Sequence, residues 1–438
     1  MGIVWIAGFL LLEMLFTTEI FAGEAKNQLR LVIVVKAGGH ARQNCPMVVA
    51  LPDEISNKLK ESKRNWSLSE MTADGTQIVP SQVLSGQSLQ LAWIVSGIMV
   101  AGTERMFVYE ATDKQEETSA KSGVSVVEDE KNLEVRLDGK PVLRYRMAHV
   151  EPPAGADPKF GRSGYIHPVW TLSGAIVTDE FPSDHLHQDG IFLAYTKTEF
   201  EGREPNFWDL LGGTGFVRFA DKLEVTNGPV CGGFRVRHEH VDAGVSGGKV
   251  ALNEEWEVRV WKTDFPAAAT NADRPVRTGY RFDITSKIEC ATASPLKLAK
   301  YHYGGMAVRG AGNWVMNDVS LVTSEGADRI AGNHNRVPWV DLSGKNALDE
   351  TGDTWSGVTV FTDPANFRFP EPVRLHPTMP YFVYAPSALD EWSIVPGIQH
   401  LSRYHYFVHD GRLNVEEVIE IWKQIVDPPV VEVKIEIL

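Results

Sequence analysis

Apolar and polar residues alternate with a period of two through most of the chain. Phe234-Arg-Val-Arg-His238, Trp256-Glu-Val-Arg-Val260 and Phe282-Asp-Ile284 each set apolar side chains on one side and polar ones on the other. That is the pattern of half-buried antiparallel strands. Leu133-Glu-Val-Arg-Leu137 and the run from Pro141 to Met147 flank Asp138-Gly139, which predicts a hairpin closed by a type I′ turn. Nearer the start, Leu29 to Val35 is rich in β-branched residues and ends in the turn Ala37-Gly38-Gly39-His40. Met47 to Leu51 is a second strand stopped by Pro52-Asp53, and Leu89 to Val95 and Met106 to Tyr109 continue the series. The middle of the chain has no sustained 3.6-residue repeat, which argues against α/β folds and a TIM barrel. One helix is predicted near the end, where Val415, Val418, Ile419, Trp422 and Ile425 share a face. The chain therefore reads as all-β: a large antiparallel β-sandwich over 123–426, including that helix, preceded by a small β domain over 28–112. A polar linker (113–122) separates them, and 427–438 reads as a tail.

Composition narrows the function. Of 438 residues, 43% are hydrophobic and 23% charged, a globular balance. A formal net charge of −14 repels phosphates and disfavours a nucleic-acid partner. Residues 1–22 read as an export signal: Ile3 to Phe16 is apolar, and small residues follow around Ala22 and Ala25. Glu13 interrupts that run and no Lys or Arg precedes it, so a retained anchor is the rival. No later segment is apolar enough to span a bilayer. Either way the protein is expected at the periplasm, cell envelope or outside. Cys45, Cys231 and Cys290 show no CxxC spacing, which disfavours a thiolate zinc site. Buried free thiols are expected, with a Cys231–Cys290 disulfide as the alternative. There is no Walker loop, no GxGxxG between a strand and a helix, no HExxH and no GxSxG.

The densest polar cluster runs from His167 to Gly190 and includes Asp179, Glu180, Asp184, His185, His187 and Asp189. His185 and His187 are two apart, so on an extended chain both rings face one side. Such a pair can bind a metal or serve as acid and base around a substrate, with Asp184 or Asp189 orienting a ring. His238-Glu-His240 continues the strand face of Phe234 and Val236 and is expected at the edge of the core. Tyr301-His302-Tyr303-Gly304-Gly305 puts a histidine between aromatic rings before a glycine turn, suited either to a sugar or to strand-end packing. His376-Pro377 and Tyr404-His405-Tyr406 are similar cases, while His409-Asp410-Gly411 reads as a turn that closes a strand.

Several of these segments, in order, resemble a bacterial family named PmoA-like ("methane oxygenase PmoA"). The likeness is carried by Ala37-Gly38-Gly39-His40-Ala-Arg42, Tyr165-Ile-His167-Pro168, Val177-Thr178-Asp179 and Pro182-Ser-Asp184-His185-Leu-His187-Gln-Asp-Gly190. Asn206-Phe207-Trp208, Gly304-Gly305-Met-Ala-Val-Arg309, Trp339-Val-Asp341-Leu-Ser343-Gly344 and Phe407-Val-His409-Asp410-Gly411 complete it. Two positions depart from that family. Gln188-Asp189 stand where it usually has histidine and arginine, and His302-Tyr303 where it usually has Lys-Glu. A methane oxygenase needs several membrane helices, which this chain lacks.

The resemblance implies a galactose-mutarotase-like sandwich and carbohydrate metabolism, with a small carbohydrate as partner. In that mode His185, His187 and His302 are expected as acid or base and Asp184 as the orienting carboxylate. Arg162, His167, Asp189, Trp208, Tyr301 and Tyr303 are expected to bind substrate, in an epimerase, lyase or hydrolase type of reaction. Two alternatives stay open. One is a divalent-metal site from His185, His187, Asp184 and a distant histidine; the other is a glycan-binding protein without catalysis.

Overall fold

The alternating segments fold into two eight-stranded antiparallel sheets packed face to face. The computed structural model describes residues 29–61, 64–113, 122–263, 279–349 and 354–437. The expected export signal and most of the linker lie outside these residues. The first sheet runs in the order Val373–Leu375, Tyr381–Tyr384, Gly305–Arg309, Ile191–Ala194, Tyr165–Val169, Lys140–Arg146, Asn132–Leu137 and Val124–Glu128. The second runs Gly215–Thr226, Cys231–Asp242, Lys249–Trp261, Gly279–Cys290, His400–Asp410, Trp355–Thr362, Trp339–Lys345 and Val319–Thr323. The predicted hairpin is present: Leu137 pairs with Lys140, and Asp138 and Gly139 have φ of 49° and 82°, as a type I′ turn demands.

Between the sheets, Leu143, Ile191, Val308 and Phe382 meet Val236, Trp256, Val258 and Ile284 in one core. His238 and His240 lie inside that core and not at its edge, each 0% exposed. Their partner is Glu254 on the next strand, also 0% exposed, which accepts from His240 Nε2 at 2.9 Å and His238 Nδ1 at 3.4 Å. The alternating run thus places two of its four inward side chains, His238 and His240, against a buried charge, which alternation cannot distinguish from an apolar core.

The small amino-terminal domain has a five-stranded sheet over a three-stranded one, with Leu31, Ile33, Trp93 and Phe107 between them. Two features correct the sequence reading. Asp53–Glu61 is a helix, started by Pro52-Asp53 and buried through Ile55. The expected tail is a strand, Val430–Ile437, paired antiparallel along the whole of Leu29–Lys36. The chain end thereby completes the sheet that its beginning opens. The carboxy-terminal helix, Val415–Val426, buries Val418 and Ile421, while Val415 and Ile419 are exposed. Val418, Trp422 and Ile425 of the predicted face pack as expected, Trp422 on Phe361 and Phe369, and Ile421 joins them in place of Val415 and Ile419. Arg42, from the glycine turn at the start, is buried and donates to the carbonyls of Ala37 and of Lys423 in the helix's last turn. It ties the two domains together. All three cysteines are free, and burial raises the Cys45 and Cys231 thiols to about 11 and about 12.

His405, partly buried on the long strand His400–Asp410, binds Asp283 at 2.7 Å and faces Asp363 at 3.4 Å. Burial opposes its charge, but the Asp283 carboxylate prevails and lifts the ring to about 9. A raised folded value gives stability that is whole below the ordinary histidine range and is lost as pH climbs through 9. Thermal unfolding between pH 7 and 10 should show that decline, and His405→Gln should flatten it.

Candidate functional site

The period of two fixes what the outer face of the first sheet displays. Tyr384 points inward, donating to the Val360 carbonyl of the opposite sheet. Its neighbours Tyr381 and Val383 therefore point outward, and the register brings Arg309, Ala307, Phe192 and Arg374 to the same side. Over this face lies the 179–190 loop. Its base is clamped to the sheet by Gly190 N to Asp179 O (2.7 Å) and Arg309 N to Gly190 O (2.8 Å). Gly190 has φ +53°, and a Cβ there would stand 2.0 Å from the Ile166 carbonyl, so no other residue fits.

Two arginines hold the loop from below. Arg309 donates to Gln188 Oε1 at 3.0 Å and Asp184 Oδ2 at 3.1 Å. Arg162 donates to the His187 carbonyl at 3.2 Å and lies over the Phe192 ring. With its backbone so pinned, the loop presents His185 and His187 outward, ring centroids 5.6 Å apart, and His376 stands 6.0 Å from His185. His376 Nδ1 accepts the Met379 N–H at 3.1 Å, which leaves the proton of the neutral ring on Nε2.

The remaining wall is aromatic. Tyr303 packs over Trp208 (5.7 Å) and Tyr381 (6.4 Å), and Trp208 rests on Phe192 (4.8 Å). His302 touches Tyr301 and Tyr303 on one side and lies 6.1 Å from His334 on the other. Arg374 joins the halves: it sits 5.6 Å from the Tyr303 ring centroid, and its charge acts on His302, His334 and His376 alike. Burial, then neighbouring cations, lowers all three rings, His376 to about 4. Burial also brings His187 to about 4. At neutral pH these imidazoles are uncharged, able to accept a proton or to share a hydrogen bond.

The structure thus groups His185 with His187, His376 and Asp184, and His302 with Tyr301 and Tyr303, with the Arg374 charge acting on His376 and His302, and corrects four expected roles. Arg162 and Asp189 are buried beneath the loop with side chains 2% and 0% exposed, so they position it and touch no ligand. Burial lifts Asp189 to about 7, and its Oδ1 accepts the Phe181 N–H. Trp208, 4% exposed, supports Tyr303 from beneath instead of offering a face of its own. His167 binds Thr178 Oγ1 at 3.0 Å in a neighbouring hollow of about 340 Å³ with Asp179 and Gly312, apart from the other histidines. Asp184 is held by Arg309, with His185 Nδ1 at 3.9 Å from it. Among the described residues no three His, Cys, Asp or Glu side chains are placed to share a metal ion, so the expected imidazole–carboxylate ligand set does not form.

His334 and Arg374 escaped the sequence reading, as did the role of His376. His334 lies in a turn with nothing to mark it but a φ of 71°, and Arg374 is one residue of a three-residue strand. Cavity size does not find the site either. A hollow of about 1090 Å³ lies on the outer face of the second sheet, but its Arg235, Glu255, Glu257 and Arg259 already pair with one another or with Glu224.

Fold and site together define an antiparallel β-sandwich protein with a histidine–arginine–tyrosine cluster on the outside of one sheet. The sequence model of a family of unknown function, DUF6807, matches residues 132–423, and the chain belongs to that family. The matched span runs from the first sheet into the carboxy-terminal helix and contains every residue of the cluster. No curated protein matches the chain.

Proposed function

We propose that this is an exported carbohydrate-active protein in which His185 and His187 move protons at a sugar carbon or beside a sugar carbonyl, in a reaction of the epimerase, lyase or hydrolase type. The observation that supports the reading is two imidazole groups, His187–His185–His376 in ring contact and His302 against Tyr303, with the Arg374 charge acting on both. Tyrosine offers an apolar face to the C–H side of a pyranose. Imidazoles with no protein partner for most of their ring nitrogens, of which burial keeps His187, His302 and His376 unprotonated, supply bases and hydrogen-bond donors to its hydroxyls. The family model that matches is DUF6807 and not a PmoA-like one; the resemblance to PmoA-like proteins, and through them to galactose-mutarotase-like sandwiches, is a motif-level likeness that points the same way. Asp184, committed to Arg309, serves to orient and not to accept protons.

Proton NMR of the purified protein with free aldoses, glycosides and keto-glycosides tests this directly. New anomeric or product signals should grow with one of these classes. Sugar binding with no turnover across all three would remove the catalytic assignment and leave a glycan-binding protein.

A further inference from the structure

The cations of this face differ in how they are balanced. Arg309 has Asp184 at 3.0 Å and Arg162 has Asp189 at 3.8 Å. No carboxylate among the described residues lies within ion-pair distance of Arg374. Its Nη1 donates to the Leu375 carbonyl at 2.9 Å, and its buried Nε has no partner. The guanidinium is half-buried and set against Tyr303, and its charge reaches His302, His334 and His376. The acidic groups that reach this cluster are Asp184, already engaged, and Asp209, whose field falls on His187. A chain with a net charge of −14 therefore keeps an unbalanced cation beside Tyr303 and the neighbouring imidazoles. Arg374 Nη2 has no hydrogen bond to the described residues, and a guanidinium nitrogen left open in this way matches a carboxylate in charge and donor geometry. Imidazoles around it can add hydrogen bonds, and they take up protons more readily once an anion arrives.

We infer that Arg374 is the seat of a ligand carboxylate, so that the sugar taken by this site is an acidic one, a uronic or aldonic acid. The carboxylate meets Arg374, His302, His334 and His376 surround it, and the ring lies along Tyr303 toward His185 and His187. This rests on the carbohydrate reading above and specifies its substrate class.

Calorimetric titration of the full chain tests it with D-galacturonate, D-glucuronate and D-gluconate against D-galactose and D-glucose. At least one acid should bind about 10- to 100-fold more tightly than its neutral counterpart. Arg374→Gln should erase that preference and Arg374→Lys should keep part of it. The methyl ester of D-galacturonate removes the charge from the ligand instead, so it tests the point even if a variant fails to fold; it should lose the same factor. Neutral sugars that bind as well as the acids, or acids that do not bind, overturn the inference and leave the carbohydrate reading standing. Acetate or inorganic phosphate binding as tightly as every sugar acid, with loss in Arg374→Gln, upholds the anion seat and overturns the sugar.

Discussion

Glu254→Ala should lower the free energy of unfolding by about 3–5 kcal/mol, the usual cost of breaking a buried charged cluster on one side. Glu254 accepts from Trp256 Nε1 at 2.5 Å and Ser286 Oγ at 2.6 Å through one oxygen, and from both core histidines through the other. Because His238 spends its Nδ1 proton on Glu254, its Nε2 is left to accept the Tyr145 hydroxyl at 2.6 Å. Tyr145 belongs to the first sheet and Glu254 to the second, so one chain of hydrogen bonds crosses the core. Alanine strands two imidazoles, an indole N–H and a hydroxyl at full burial. Burial alone would raise the Glu254 carboxyl, but the His238 and His240 bonds outweigh it and hold the group well below its ordinary range. A lowered folded value gives stability that is present above the ordinary glutamate range and is lost as pH falls. Urea unfolding at pH 7 measures the loss in the alanine variant. In Glu254→Gln the acid branch of stability should also flatten. A change under about 1 kcal/mol, the scale of an ordinary surface substitution or less, would show that the cluster contributes little.

That cluster also shows where a linear reading stops. His238, His240 and Glu254 sit in segments whose alternation identified the strands correctly. Which face was core, and that the core holds a charge, depends on a neighbour across the sheet. The type I′ hairpin was legible because Asp138-Gly139 carries its own backbone demand. His185 and His187 were legible because two residues apart is itself a geometric statement. Arg374, His376 and His334 were not, because they reach His185 and His302 only through the pairing of Val373–Leu375 with Tyr381–Tyr384 and then with Gly305–Arg309. Arg162 and Asp189 misled for the opposite reason. Charged residues in or near the histidine-dense segment look like ligands, yet these two meet under the loop, where Arg162 holds the His187 carbonyl and Asp189 the Phe181 N–H. The helix at Asp53–Glu61 is nine residues long and was hidden behind the stop signal at Pro52-Asp53. The final strand was hidden because its partner lies at the other end of the chain.

His187→Ala should cut turnover of the sugar by about 10²- to 10⁴-fold, the range a positioned proton-transfer group contributes, while thermal unfolding stays where it is. The expected retention of the fold follows from how the loop is built. Arg162 grips the backbone carbonyl of His187, which alanine keeps, and among the described residues the imidazole makes no hydrogen bond that its removal would strand. His240→Ala is the contrasting variant, since its ring is bonded to Glu254 and its loss should appear as instability. The pH profile separates a proton-transfer role from mere contact with the sugar. Burial lowers His187 to about 4, so its ring stays unprotonated through neutral pH. A base of that kind holds kcat/KM level from about pH 5 upward and loses it as pH falls through 4, where an exposed imidazole would fail near 6.5. Turnover that survives in His187→Ala with an unchanged acid limb would take proton transfer away from this residue and assign it to His185 or His302.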